Sequence, residues 1–235
     1  MEDHPEIAYY LTFCERNNVQ ILTPVVEYLA AASEWYNEDL NRDSITDNAP
    51  TYPPHMGRLL ATTDGELTSI CALLTHINTS PHPTTPPLTH LSLYNGAFTA
   101  NGITALAQTL EADKRLTTLR LATCPIGDTG ALCIAESLLR NPHTTLTSLD
   151  LTNVNLDVRG LEALTTAACE IRTLKVLGVA DNGLKKQAGI IIGKPQHTHS
   201  VLARASSKIG YQNTLTFCSH LCMHMCMSCS HRIYL

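Results

Sequence analysis

The chain is expected to fold as an α/β solenoid of stacked repeats, with parallel strands on a concave face, helices on a convex face and a helical N-terminal cap. Three observations lead there. The segments Leu88-Thr-His-Leu91-Ser-Leu93, Leu116-Thr-Thr-Leu119-Arg-Leu121, Leu146-Thr-Ser-Leu149-Asp-Leu151 and Leu174-Lys-Val-Leu177-Gly-Val179 recur at spacings of 28, 30 and 28 residues. A fixed period of this size marks a stack in which each unit buries its faces against its neighbours. Within a copy the apolar period changes from two to nearly four, strand first and helix second. Ahead of the first copy, two stretches carry apolar residues at helical spacing.

Those two stretches open the chain. Ile7, Tyr10, Leu11 and Cys14 fall at i, i+3, i+4 and i+7, and Thr23-Pro24 begins a second helix with Val25, Leu29, Ala32 and Tyr36 on one face. Residues 1–42 therefore read as a cap over the first open end of the stack. Asp43–His55, with three prolines, reads as a linker. Residues 56–87 hold a degenerate first repeat and a connector: Thr63-Asp-Gly-Glu-Leu67 with Ile70, Cys71, Leu74 and Ile77 is the helical half, and Asn78–Pro87 leads into the first clear strand. The repeats proper span 88–190. Their alternation predicts strands near 90–94, 118–122, 148–152 and 176–180, the leucines pointing inward. Phe98, Ile126, Leu156 and Leu184 turn the chain back toward the core. Gly102, Gly130 and Gly160 follow, with Ala188 in the fourth copy, and then helices near 102–112, 130–140 and 160–170.

The register LxxLxLxx(N/C)xLxxxGxxxLxxxL over residues 88–189 resembles the ribonuclease-inhibitor class of leucine-rich repeats. At the Asn/Cys position Cys124 and Asn182 match that pattern, whereas Gly96 and Val154 depart from it. The departure implies a weakened ladder of side-chain hydrogen bonds between units. Tyr10-Leu-Thr-Phe-Cys14 with Pro24-Val-Val-Glu-Tyr-Leu29 is also similar to the N-terminal segment of ciliary and centrosomal leucine-rich-repeat proteins.

Composition narrows the function classes. The chain is 44% apolar, enough for a core, and its apolar runs, Gly189-Ile-Ile-Ile-Gly193 among them, are far short of the roughly 20 residues that cross a bilayer. The acidic start does not read as a signal peptide, so a membrane partner or export is not expected. Nine cysteines, five scattered through apolar patterns and four crowded near the end, point to a reducing compartment and a cytoplasmic address. Charge is uneven: residues 1–50 hold ten acids and two bases, 51–184 eleven and eight, and 185–235 none and six. No basic, aromatic-interleaved face appears in the repeats, so nucleic acid is not an implied partner.

Candidate site residues come from the outward columns of the strands, the usual binding surface of this fold class. They are His90, Ser92, Tyr94, Arg120, Asp150, Asn153 and Asp181. Arg120 and Asp150 share a column on adjacent strands about 4.8 Å apart. They either pair with each other or meet a partner, with Tyr94 as an aromatic anchor. No catalytic residue, cofactor or metal is expected. Gly189-Ile-Ile-Ile-Gly193-Lys-Pro195 lacks the spacing and the Ser or Thr of a phosphate-binding loop, and no residue falls in a nucleophile motif. Asn78-Thr-Ser80 fits a glycosylation sequon by chance.

Residues 191–235 form a Cys/His/Met-rich tail, expected to be disordered. Cys218, Cys222, Cys226 and Cys229 have the donor chemistry of zinc, and Cys226-x-x-Cys229 has ligand spacing, but no second separated pair completes a tetrahedral site. From Asn182 to Leu235 there is no Asp or Glu, and the LxxLxL register does not return. Cys, His and Met codons are rich in TG, CA and AT, while Asp and Glu need GA, so a frame-shifted or read-through end after about residue 190 is one reading.

The function expected is a non-catalytic protein-interaction scaffold working through the concave face. Two alternatives stand beside it. The repeat type is similar to that of Ran GTPase-activating proteins, which suggests a regulator of a small GTPase, although no matching arginine-bearing loop is present. The N-terminal similarity suggests a structural component of a cilium, flagellum or centrosome.

Overall fold

In the computed structural model the described residues are 4–40, 63–80, 88–184, 191, 202–204 and 232–234. The linker 43–55, most of the connector, the side chain of Tyr36 and the cysteines of the tail lie outside them.

The element order is α1 (Pro5–Asn17), α2 (Thr23–Leu40), α3 (Asp64–Thr79), β1 (His90–Tyr94), α4 (Ala100–Ala112), β2 (Thr118–Ala122), α5 (Gly127–Arg140), β3 (Ser148–Asp150), α6 (Val158–Glu170), β4 (Val176–Gly178), β5 (Leu202–Arg204) and β6 (Arg232–Tyr234). All strand pairs are parallel, in the order β1-β2-β3-β4-β6-β5. The register follows the repeat: Leu91 faces Leu119, Leu119 faces Leu149 and Leu149 faces Leu177. These leucines are buried, while the residues between them are partly exposed. The helices stack in chain order, α3 on α4, α4 on α5 and α5 on α6, and close the core from the other side.

α1 packs on α3 and α2 on α1, so the two leading helices cover the first end of the stack. Tyr10, Cys14, Val25, Leu29 and Ala32 are buried there, as the helical spacing predicts. The Tyr10 hydroxyl accepts a hydrogen bond from the Leu22 N–H at 3.2 Å, and burial pushes its pKa up. α3 starts on a capping box: the Glu66 N–H donates to Thr63 Oγ1 at 3.3 Å, and the Thr63 N–H donates to Glu66 Oε2 at 3.1 Å.

Three expectations need correction. β3 and β4 are three residues long, not five; just past β3 the Thr152 N–H donates to the Asp150 side chain, Oδ1, at 3.1 Å, a local bond of the kind that competes with a regular ladder. The repeat helices begin two or three residues before Gly102, Gly130 and Gly160, since Thr99 and Asp157 cap α4 and α6 ahead of the glycine. Residues 191–235 are not wholly without structure: β5 and β6 extend the parallel sheet past β4.

Two polar rows run along the stack. At the strand entries the Thr117 hydroxyl donates to the Thr89 carbonyl and the Thr147 hydroxyl to the Thr117 carbonyl, both at 3.0 Å. At the exits the Asn/Cys position acts in alternate units, as its matches and departures imply. Cys124 Sγ accepts the Gly96 N–H at 3.3 Å, and burial raises the thiol's pKa. Asn182 Oδ1 accepts the Val154 and Leu156 N–H groups at 3.0 and 2.9 Å, while its amide donates to the Leu151, Val179 and Ala180 carbonyls.

Candidate functional site

The sheet face away from the helices carries the columns His90–Thr118–Ser148–Val176 and Ser92–Arg120–Asp150–Gly178. At their centre three of the expected residues meet. Arg120 Nε lies 2.8 Å from Asp150 Oδ2, and the Arg120 guanidinium carbon sits 5.3 Å from the centroid of the Tyr94 ring. The guanidinium is thus held between a carboxylate and an aromatic ring while its side chain stays 41% exposed. Each contact is worth about 1 kcal/mol or less at such exposure, so the cluster orients Arg120 more than it stabilises the fold.

Two further residues set this geometry and were not among the expected site residues. The Thr152 N–H and hydroxyl both donate to Asp150 Oδ1, at 3.1 and 2.6 Å, which turns Oδ2 toward Arg120. Gly178 leaves the space that the carboxylate fills: a Cβ there would stand 2.8 Å from Asp150 Oδ1 and 3.4 Å from the Asp150 Cα. An Asp-x-Thr at a strand end and a glycine at an outward strand position were the legible signals.

The remaining expected residues do not join the cluster. Ser92 is Arg120's register neighbour on β1. His90 Nδ1 lies 2.8 Å from the Thr89 hydroxyl, at the entry end of the strand. Asn153 and Asp181 occupy the turn after the strand, as do Asn95 and Thr123, and all four have left-handed backbone, φ between 53° and 56°. Asn and Asp tolerate that conformation better than other side chains, which accounts for their presence without a ligand. Thr123, β-branched, is the strained member; its hydroxyl bonds Asn95 Oδ1 and the Asn95 N–H donates back to it at 3.1 Å.

Among the described residues no cluster of His, Cys, Asp and Glu has metal-binding geometry, and the tail cysteines fall outside them. No described helix is long and apolar enough to cross a membrane. The Asn78 amide of the sequon donates to Asp113 Oδ1. On the convex side a shallow hollow between α5 and α6 is lined by Leu132, Ala135, Glu136, Leu139, Arg159 and Ala163, away from the Arg120 cluster.

The family model for leucine-rich repeats matches residues 115–135 and 143–164, which are the second and third units of the stack. The solenoid is a leucine-rich-repeat fold of the ribonuclease-inhibitor-like class. A curated relative, ribonuclease inhibitor from Sus scrofa, is 32% identical over 104 residues, 44% of this chain. The chain spans only 23% of that relative's length. Leucine-rich repeats are in general protein-binding scaffolds, and the Arg120 cluster lies on the open sheet face of these repeats.

Proposed function

We propose that the chain is a non-catalytic protein-interaction scaffold, working in the cytoplasm, whose concave sheet face recognises a protein partner through Tyr94, Arg120 and Asp150. The observation that carries this reading is the guanidinium sandwiched between ring and carboxylate among small neighbours on β1 to β4. Ser92, Thr118, Ala122, Ser148 and Gly178 surround it. A cation held in one orientation loses little freedom on meeting a carboxylate or carbonyl of a partner, and Arg and Tyr dominate binding energy at interfaces. The similarity to a ribonuclease inhibitor supports a binding role, with the partner's identity left to experiment.

The test is quantitative affinity capture with three chains: unaltered, Tyr94→Ala with Asp150→Ala, and Glu136→Ala on the convex side. Proteins retained by the unaltered and Glu136→Ala chains and lost from the concave double variant support the reading. Equal retention by all three, with far-UV circular dichroism unchanged, contradicts it.

A further inference from the structure

The strand beside β4 is not the next one along the chain. β6 (Arg232–Tyr234) pairs with β4, and β5 (Leu202–Arg204), which comes earlier, lies outside it. Stacked repeats add strands in chain order, so this inversion is not a further repeat. It is a strand that has been seated on an edge.

The register shows what the seating does. Val176 faces Arg232, Leu177 faces Ile233 and Gly178 faces Tyr234. Ile233 therefore holds the register position that follows Leu91, Leu119, Leu149 and Leu177, and Ala203 on β5 holds the next. The outermost described strand, β5, is short and carries Arg204, both of which are ways in which proteins blunt an exposed sheet edge. β4 without β6 would present an unpaired backbone edge beside a row of buried leucines, and a solenoid needs its open end covered. Charge favours an occupant from the same chain: residues 1–184 hold twenty-one acids and ten bases, whereas 185–235 hold six bases and no acid. A second copy of the repeats would bring like charge to the same edge.

We propose that Arg232–Tyr234 is a docking strand which closes the β4 edge within its own chain and keeps other copies off it. The ladder identifies a reporter. Within β4 the Val176 N–H donates to the Thr147 carbonyl and the Gly178 carbonyl accepts from the Leu151 N–H, so both residues bond toward β3. In a parallel strand the residue between them turns its backbone groups the other way, and the Leu177 N–H faces β6.

Residue-level hydrogen exchange on the full chain, on Ile233→Asp and on a chain ending at Ser230 tests the proposal, with light scattering to read the oligomeric state. The Leu177 amide should exchange at least tenfold faster in both altered chains while Val176 keeps its protection. A peptide of residues 229–235 should restore Leu177 in the shortened chain, which self-associates without it. Should the shortened chain fail to fold, Ile233→Asp carries the test alone. Unchanged exchange at Leu177, Val176 accelerating in step with it, or an intact chain that trades β6 between two copies overturns the proposal.

Discussion

Replacing Leu149 with alanine removes the middle of the buried leucine row. Leu149 is 1% exposed and sits between Leu119 at 0% and Leu177 at 1%, each on a strand held by the parallel ladder. Burial of a leucine side chain is worth about 1.5–3 kcal/mol, and a cavity that cannot collapse raises the loss to about 2–5 kcal/mol. Strands on both sides fix the walls here, so we expect about 3–4 kcal/mol, out of a total stability of about 5–15 kcal/mol. Leu139, on α5 and 40% exposed, is the control; its change to alanine should cost under about 1 kcal/mol. Urea denaturation followed by far-UV circular dichroism reads both. At a slope of about 1.5 kcal/mol/M, Leu149→Ala should lower the midpoint by about 2 M. Leu149→Asp should fail to accumulate folded protein, because no described residue in that row could pair a carboxylate. A Leu149→Ala midpoint shift no larger than that of Leu139→Ala would refute the inward register.

Asn182→Ala should destabilise by about 2–4 kcal/mol, since two backbone N–H groups and three carbonyls lose their side-chain partner; urea midpoints check it. Gly160→Ala should lower the melting temperature despite alanine's better helix propensity, because a Cβ there meets Asp128 Oδ1 at 2.6 Å and the Asp128 Cα at 3.1 Å. Calorimetry would show a gain instead if α6 could move away. The Cys71 thiol is pushed up to about 12 by burial, from an ordinary value of 9.0. Its folded value lies above its unfolded one, so its contribution is whole below pH 9 and is lost as pH rises from there to about 12. The fall should reach about 1.4 kcal/mol per pH unit and be smaller in Cys71→Ala, as denaturation at pH 8–11 would show.

The repeat was legible because it is written twice, in the leucine spacing and in the glycine that follows it. The inward rows of Leu91, Leu119, Leu149 and Leu177 and the helix stripes fell where the periods placed them. Element ends were less legible, because side chains that cap or turn the backbone decide them: Thr99, Asp157 and Asp150 each accept a neighbour's N–H. In the site, the column shared by Arg120 and Asp150 followed from strand register alone. The depth of Gly178 and the reach of Arg120 across to Tyr94 depend on rotamers that the period does not encode. Asn153 and Asp181 read as surface polar groups, yet their left-handed backbone answers for them. β6 had no signal of the repeat kind, since Arg-Ile-Tyr carries no LxxLxL spacing and pairs with a strand more than fifty residues earlier.

A photo-crosslinking residue placed at Ser92, beside Arg120 on the open face, reports most directly on whether this face meets a protein. The same residue at Glu136 reports on the convex side. The account predicts a discrete adduct from position 92 that disappears when Arg120→Ala is added, and none from position 136. Adducts from position 136 with none from position 92 would contradict it.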